Sequence, residues 1–385
     1  MFDEKINRRG SGSMKWDHSA EGVLPMWVAD MDFKTAPCII EALRKRVDHG
    51  VFGYVDVPAA YYEAIIGWFQ RRHNWIIDRN SIIYTIGVVP ALSAIIKAIT
   101  KEGDGVVVQS PAYNCFYSSI RNNGCNVVYS ELIYHPDGYS IDFDRLEGTL
   151  SRDDVKVMIV CNPHNPVGRV WTREELKRIG DLCLKHNVFV VSDEIHCELT
   201  YQNHDYTAYQ SLGTEYAANS AACISPSKAF NIAGLQNAAI VAPDSEIRAK
   251  IDKAININEV CDVNPFGVVA VMAAYNEGEG WLDSLRNYLW DNYVCVRDYF
   301  SRHLPEYPVL PLQGTYLVWI NCEATGVDSD ELVRQLVEQE KLQLSPGSMY
   351  GKGGERFLRL NIACPRANIE EALPRLERFL KKWRI

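Results

Sequence analysis

The sequence predicts an α/β fold, in which a mostly parallel sheet carries helices on both faces and a smaller α+β domain follows. The first observation is that short apolar runs, typical of buried strands, alternate with helical segments. These runs lie near residues 82–86, 105–109, 125–129, 155–161, 188–192, 221–225 and 238–241. The second observation is that the alternation ends after about residue 285. We therefore predict a large domain over residues 46–284 and a small domain formed by residues 1–45 and 285–385.

Several elements can be placed individually. Thr172-Arg-Glu-Glu175 has the spacing of a capping box, which predicts a helix that begins there and runs to about Lys185. In the last hundred residues the patterns predict an amphipathic helix over 281–304, a strand over 315–321, a helix over 328–340, a strand over 356–362 and a last helix over 369–383. We expect the amino-terminal arm to pack with these elements.

Composition and charge argue against several classes of function. With 385 residues, of which 47% are hydrophobic and 23% charged, the chain can bury the core of a globular enzyme. A net charge of −9, from 40 basic and 49 acidic residues, argues against nucleic acid or membranes as partners. No signal peptide or long apolar run is visible and the cysteines are scattered, so we expect a cytoplasmic protein. The histidines lack metal-binding spacing, and we predict no metal site.

Lys228 follows an apolar stretch, Ala221–Ile224, that we interpret as a short buried strand. A lysine there is costly unless its amine is paired or used, and a lowered pKa lets such an amine form a Schiff base. Ser225 can offer its hydroxyl and nearby backbone N–H groups to a phosphate. This combination suits pyridoxal 5′-phosphate (PLP). Alone, a Ser-x-x-Lys sequence is more often a solvated turn, and in some hydrolases it carries a nucleophilic serine.

Two further polar residues follow predicted strands. Asn165 lies in the turn after the run at 155–161, where its amide can donate to a phenolate oxygen. Asp193 follows the run at 188–192, where a carboxylate can pair with a protonated pyridine nitrogen and keep the ring able to accept electrons. Each residue alone also fits a structural role, as a turn asparagine or a capping aspartate. Their occurrence together with Lys228 favours a PLP site.

A phosphate site is predicted at the start of a helix. The strand near 82–86 is followed by Gly87, Val88 and Val89, and Pro90 suits the first turn of the helix that comes next. Backbone N–H groups at a helix start bind an anion with the help of the helix dipole. An ordinary strand–turn–helix unit has the same pattern, so this segment alone leaves both interpretations open.

Three motifs resemble those of the fold-type I PLP enzymes of the class I/II aminotransferase superfamily: Asn162-Pro-His-Asn-Pro-Val-Gly168, Ser192-Asp-Glu194 and Ser225-Pro-Ser-Lys-Ala-Phe-Asn-Ile-Ala-Gly-Leu235. The resemblance covers essentially the whole chain and implies the fold-type I PLP-dependent transferase fold. It implies that Lys228 is the Schiff-base lysine. The other implied roles are Asp193 for the pyridine nitrogen, Asn165 for the phenolate oxygen, Gly87, Val88, Val89 and Ser225 for the phosphate, Tyr113 for ring stacking and substrate contact, and Arg359 for the substrate α-carboxylate.

Two positions depart from the aminotransferase pattern. Gln236 stands eight residues after the lysine, where many members carry an arginine. His196 stands three residues after the aspartate, where many carry a tyrosine. The neutral Gln236 leaves phosphate binding to backbone groups, Ser225 and other hydroxyls. The imidazole of His196 changes the donors around the cofactor's phenolate oxygen.

The amino-terminal region resembles the MalY/PatB-type carbon–sulfur lyases, a branch of this superfamily. The resemblance rests on Met14-Lys-Trp-Asp17, Leu24-Pro-Met-Trp-Val-Ala-Asp-Met-Asp-Phe33 and Gly53-Tyr54. Composition alone predicts that the second of these segments is a core strand. The resemblance implies instead that Trp27 to Ala29 lines the substrate side of the cofactor. It also implies that Tyr54 reaches across a dimer interface toward the phosphate.

The resemblance thus implies a PLP-dependent β-lyase that cleaves L-cystathionine or another S-substituted L-cysteine by α,β-elimination, giving a thiol, pyruvate and ammonia. We expect a homodimer with a sulfur-containing amino acid as substrate. Two alternatives stay open at this point. One is a class I/II aminotransferase that transfers amino groups to 2-oxo acids. The other is a regulatory protein that keeps the PLP-enzyme fold and binds a transcription factor.

Overall fold

The computed structural model describes residues 1–259 and 262–383. Its helices are α1 (Met14–Asp17), α2 (Pro37–His49), α3 (Ala59–His73), α4 (Val88–Ile99), α5 (Asn114–Asn122), α6 (Phe143–Leu150), α7 (Arg173–Lys185), α8 (Thr214–Ala218), α9 (Ser245–Asn256), α10 (Pro265–Glu277), α11 (Glu279–His303), α12 (Ser329–Glu340) and α13 (Arg366–Leu380). Its strands are β1 (Leu24–Pro25), β2 (Ile82–Thr85), β3 (Gly105–Ser110), β4 (Asn126–Glu131), β5 (Ile133–His135), β6 (Gly138–Ser140), β7 (Val155–Cys161), β8 (Phe189–Asp193), β9 (Ser220–Ile224), β10 (Ala238–Val241), β11 (Leu317–Asn321), β12 (Leu342–Gln343), β13 (Ser345–Pro346) and β14 (Phe357–Asn361).

The central sheet has the strand order β2-β10-β9-β8-β7-β3-β4 within the described ranges. Strands β4, β3, β7, β8 and β9 are parallel to one another, and β10 is antiparallel to both β9 and β2. The predicted mostly parallel sheet is therefore confirmed. Strands β7 and β10 occupy the predicted ranges, and the other strands of this sheet differ from prediction by one or two residues at their ends.

Helices cover both faces of this sheet, as predicted. Strand β3 shows the cause, because successive side chains of a strand point to opposite faces. Val106 and Val108 pack in a buried cluster with residues of α4 and α5, whereas Val107 packs on the other face with residues of α6 and α7. Helix α7 begins with the predicted capping box: Thr172 accepts from the backbone N–H of Glu175, whose side chain accepts from that of Thr172.

A second, antiparallel sheet follows toward the carboxyl end, with the strand order β11-β14-β13. Helices α12 and α13 pack with it and with α11 in one buried core. Each predicted element of this region is observed, with bounds that differ by up to three residues.

The amino-terminal arm packs against this second region. Strand β1 pairs in parallel with β12, and the ring of Phe2 contacts the rings of Phe33, Trp281 and Tyr288. The core strand that composition predicts over 24–33 is wrong beyond Pro25, because the following backbone leaves the sheet. Its carbonyl groups are bonded instead by side chains from distant parts of the chain.

The proposed domain boundaries, at residues 46 and 285, both fall inside helices. The first lies in α2 and the second in α11. Helix α2 also packs against α10, a helix of the large region. The division into 46–284 and 1–45 with 285–385 stays a prediction.

Among the residues that the structure describes, no helix is long and apolar enough to cross a membrane. The described cysteines are free thiols, and most of them are buried. They therefore behave as small apolar core residues, as expected from their scattered positions.

Candidate active site

A cavity of about 400 Å³ lies at the carboxyl ends of the parallel strands. It brings together most of the predicted site residues: Ala29, Gly87, Val88, Val89, Tyr113, Asn165, Asp193, His196, Lys228 and Arg359. Ser225 and Tyr54 do not line it. The side chain of Tyr54 is 96% exposed on this single chain, and its role at a neighbouring subunit stays a prediction.

Three adjacent strands place the central residues. Strands β7, β8 and β9 are parallel neighbours, so the residues that follow them meet at one edge of the sheet. Asp193 is the last residue of β8, and Asn165 and Lys228 lie shortly after β7 and β9. The strand-end positions predicted from sequence are therefore the positions observed.

The Lys228 side chain is partly buried, and its amine lies among groups of both charges. Its Nζ donates to the carbonyl oxygen of Ala29 at 2.8 Å. Burial lowers the pKa of Lys228 to about 8, and the nearby charge of Arg359 acts in the same direction. The carboxylates of Asp30 and Asp193 oppose this effect. An uncharged amine is therefore available close to neutral pH.

Burial has the opposite effect on the pKa of Asp193, because this residue is an acid. Burial raises the pKa of its carboxyl group to about 7, although the backbone N–H of Ile195 donates to it at 3.1 Å. A buried carboxylate of this kind needs a cationic partner to stay ionised. A protonated pyridine nitrogen is such a partner, so the environment of Asp193 fits the predicted role.

Arg359 connects the strand-end residues to the amino-terminal segment. It is only 4% exposed, and its Nη1 and Nη2 donate to Asn165 Oδ1 at 3.0 Å and to the carbonyl oxygen of Trp27 at 2.9 Å. Its guanidinium lies over the ring of Tyr350, 4.7 Å from the centroid. Its buried Nε has no hydrogen-bond partner among the described residues. Arg359 therefore keeps a donor for a carboxylate, and Asn165 keeps its amide N–H groups.

Two further side chains on the cavity wall are held in their neutral forms. Burial lowers the pKa of His196 well below its usual range, and the charges of Lys228 and Arg359 add to this effect. Its Nδ1 is buried and has no hydrogen-bond partner within the described part of the chain. Burial raises the pKa of Tyr113, whose ring packs edge-on against Phe116. A neutral imidazole and a neutral phenol thus face the cavity.

The predicted phosphate end is formed by the start of α4. Gly87 caps this helix, and Val88 and Val89 of its first turn line the cavity together with Gln236. Ser225 lies behind the wall, where its hydroxyl donates to the carbonyl oxygen of Asn237 at 2.7 Å. The helix start is thus placed for an anion. A phosphate contact by Ser225 stays a prediction.

Sequence reasoning missed several residues of this site. Cys115, Ser345 and Met349 line the cavity, and Tyr316 donates to the same Ala29 carbonyl oxygen as Lys228, at 2.9 Å. Asn361 donates to the backbone next to Trp27. Asn361 follows Arg359 by two positions on β14, so strand alternation was a usable signal. The others carried no local pattern.

An amine, a carboxylate, an amide and a helix amino terminus in one cavity fit PLP, and comparisons with known proteins agree. The family model for aminotransferase class I and II matches residues 22–376. The chain is 43% identical to cystathionine beta-lyase PatB of Bacillus subtilis, over 98% of this chain and 99% of that protein. It is 36% identical to protein MalY of Escherichia coli, over 97% and 96%.

Solved structures give the same assignment. Cystalysin from Treponema denticola, whose structure contains PLP, superposes with a TM-score of 0.96 at 35% identity and covers 99% of both chains. The chain is a PLP-dependent enzyme and belongs to the class I and II aminotransferase family.

Proposed function

We propose that this protein is a PLP-dependent carbon–sulfur β-lyase that acts on L-cystathionine or another S-substituted L-cysteine. The products are a thiol, pyruvate and ammonia. The observation that carries the proposal is the partly buried Lys228 amine, whose pKa is lowered, in one cavity with Arg359 and Asp193. Supporting it, the relative that is 43% identical over nearly its whole length is named a cystathionine beta-lyase.

Four side chains of the cavity would each have a separate role in the reaction. When bound, PLP supplies an electron sink that stabilises negative charge at the substrate Cα. Asp193 would hold the pyridine nitrogen, and Asn165 the phenolate oxygen. Arg359 would bind the substrate carboxylate and so hold the substrate in the cavity. Lys228, whose pKa burial lowers to about 8, accepts the Cα proton at Nζ.

Elimination follows from where the negative charge develops. Once Lys228 has taken the Cα proton, the electron pair left at Cα forms a Cα–Cβ double bond while the Cβ–S bond breaks. The sulfur leaves as a thiolate and becomes a thiol on protonation. One water molecule then converts the remaining three-carbon fragment into pyruvate and ammonia. The reaction therefore needs no 2-oxo acid.

The chief alternative is amino transfer, in which Lys228 returns the proton to the cofactor instead. The features that favour elimination are Gln236 and His196, which differ from the usual aminotransferase residues, and the amino-terminal segment 24–33. A substrate with a good leaving group at Cβ also favours elimination. A regulatory role through a bound transcription factor has no specific support in the described residues, and a pulldown from native extract tests it.

The test compares two reactions of the purified, PLP-loaded protein. With L-cystathionine and no 2-oxo acid, we expect pyruvate, ammonia and homocysteine in equal amounts. With alanine, glutamate or an aromatic amino acid plus a 2-oxo acid, we expect no elimination, because these substrates lack a leaving group at Cβ, and only slow amino transfer. Fast transfer with negligible elimination would falsify the lyase assignment and leave the fold and the PLP site intact.

We also propose that the protein works as a cytoplasmic homodimer. Tyr54 is fully exposed on one chain, and in a dimer it would lie at the cavity of the neighbouring subunit. Closed twofold dimers are also the commonest oligomers. The free thiols support a reducing compartment. The net charge of −9 makes nucleic acid and anionic membranes poor partners.

A further inference from the structure

The segment from Trp27 to Asp32, which we call the strap, runs between the amino-terminal arm and the cavity. Each backbone carbonyl from Trp27 to Met31 accepts a hydrogen bond from a side chain. The donors are Arg359 (2.9 Å) and Ser345 (2.9 Å) at Trp27, Asn361 at Val28 (2.5 Å) and Asp30 (2.7 Å), Lys228 (2.8 Å) and Tyr316 (2.9 Å) at Ala29, and Arg8 (3.1 Å) and Asn231 (2.9 Å) at Met31. The strap therefore holds the reactive lysine and the carboxylate-binding arginine on one stretch of backbone.

A charge cluster fixes the strap from the other side. Lys15 is fully buried, and its Nζ lies 2.7 Å from an oxygen of Asp32 and 3.8 Å from one of Asp30. Arg8 bridges the same two carboxylates at 2.6 Å and 2.7 Å. The indole N–H of Trp16 donates to Asp32 at 2.8 Å. Two cations from the arm thus neutralise two anions of the strap.

Such a cluster is a poor device for stability alone. Removing two charges from water costs free energy that their attraction often only offsets, and apolar residues of similar size do as well or better. A buried ion cluster does fix geometry, because its members tolerate few arrangements. Here the fixed geometry belongs to the backbone that contacts Lys228 and Arg359.

We infer that Arg8, Lys15, Asp30 and Asp32 are positioning residues for the reaction. They hold the strap in place. The carbonyl oxygen of Ala29 can then accept a hydrogen bond from the free amine of Lys228, and that of Trp27 orients Arg359. The kinetic part of this inference rests on the proposed function. The geometric part concerns the protein alone.

One member of the cluster, Asp30, also acts on Lys228 through its charge. The groups that face this amine are the charged Arg359, Asp30 and Asp193, the Cys115 thiol and the His196 imidazole. Asp30 raises the pKa of Lys228, and Arg8 and Lys15 balance its charge. From Coulomb's law we therefore expect the pKa of Lys228 to rise when a cation of the cluster is removed and to fall when an anion is removed.

The test uses Lys15→Met and Asp32→Asn in the full chain. The pH dependence of Lys228 acetylation, measured by mass spectrometry on cofactor-free protein, reports the pKa without any turnover. We expect the midpoint to rise by about 0.5 pH unit in Lys15→Met and to fall by a similar amount in Asp32→Asn. In the PLP-loaded enzyme we expect KM to rise several-fold in both, through Arg359.

Lys34→Met is the matched control, because Lys34 forms an exposed ion pair with Glu4 in the same arm. This substitution should change neither the acetylation midpoint of Lys228 nor KM. Asp30→Asn is the variant to use if the buried substitutions prevent folding, because Asp30 is partly exposed and Arg8 keeps Asp32 as a partner. It should lower the midpoint.

Reduced thermal stability with unmoved acetylation midpoints would show that the cluster is only structural and overturn the inference. The acetylation readout involves no substrate, so it stands whether or not the protein is a lyase. Conversely, absent elimination in the wild-type enzyme with shifted midpoints in the variants would contradict the proposed function alone.

Discussion

At the scale of single residues, burial decides which groups can react. The ordinary pKa of 10.5 would leave Lys228 almost entirely protonated at neutral pH, whereas a pKa of about 8 leaves roughly a tenth of the amines uncharged at pH 7. Burial acts oppositely on Asp193, whose pKa it raises to about 7. The same cavity therefore lowers the pKa of a base and leaves a buried carboxylate in need of a cation, the role that we propose for the pyridine nitrogen of PLP.

The proposed binding of the substrate carboxylate by Arg359 predicts a weaker affinity for substrate when this residue is replaced. In Arg359→Lys we expect KM to rise about 10- to 100-fold, equivalent to about 1.5–3 kcal/mol, because an ammonium group cannot replace the planar fork. The turnover number should change much less, because the carboxylate is bound equally in the ground and transition states. Steady-state kinetics check this, with the exposed Arg378→Lys as the control. An unchanged KM would contradict the assignment.

The raised pKa of Asp193 predicts a pH-dependent stability of the cofactor-free protein. Its carboxyl pKa is about 7 when folded and 3.8 ordinarily, so the folded state binds the proton more tightly. Stability from this group is fully present below about pH 4 and is lost as the pH rises through 7. The amide in Asp193→Asn does not titrate, so this variant does not lose stability in this way as the pH rises.

We therefore expect Asp193→Asn to be more stable than the wild type at pH 8, by at most about 4 kcal/mol. The difference should shrink as the pH falls toward 4. Thermal unfolding of both cofactor-free proteins across this range provides the measurement. A constant difference at all pH values would mean that Asp193 does not titrate as described.

At the scale of elements, most of the sheet could be predicted because apolar runs and turn residues are local signals. The strand ends then predicted where Asn165, Asp193 and Lys228 meet. The strap could not be predicted from its own residues, since its conformation depends on donors such as Asn231 and Asn361 that lie far away in sequence. The charge cluster was missed for the same reason: Lys15 and Asp32 each have an ordinary local context.

The capping box of α7 predicts a purely structural effect. Thr172→Ala removes the oxygen that accepts the Glu175 N–H, and we expect a loss of about 1 kcal/mol in the free energy of unfolding. Thr172→Ser keeps the oxygen and should keep most of the stability. Denaturant unfolding measures both. Turnover should not change, because α7 does not line the cavity, and a large loss of activity at full PLP occupancy would contradict this.

At the scale of the whole molecule, the cavity is assembled from the arm, the strand ends of the central sheet and the second sheet. Trp27, Lys228 and Arg359 come from these three parts and meet through hydrogen bonds at the strap. Sequence motifs identified Lys228 and Arg359 separately. Their connection through one backbone segment became visible only in the folded chain.

The proposed dimer predicts that replacing Tyr54, which does not line the cavity of its own chain, weakens PLP binding in the partner subunit. In Tyr54→Phe we expect PLP affinity to fall by about 1.5–3 kcal/mol, the usual contribution of a hydrogen bond to a charged group. Tyr62→Phe, on α3, is the control. PLP dissociation and light scattering are the measurements. A monomer with full PLP occupancy and activity would contradict the dimer proposal.

The most direct test of the central claim is pyruvate release from L-cystathionine by the wild type and by Lys228→Ala, without a 2-oxo acid. The wild type should form pyruvate, ammonia and homocysteine together. In Lys228→Ala the rate of pyruvate release should fall about 100- to 10,000-fold, because general base catalysis by a positioned amine contributes that much. The exposed Lys177→Ala should behave as the wild type. Near-normal pyruvate release by Lys228→Ala, or none by the wild type, would contradict the account.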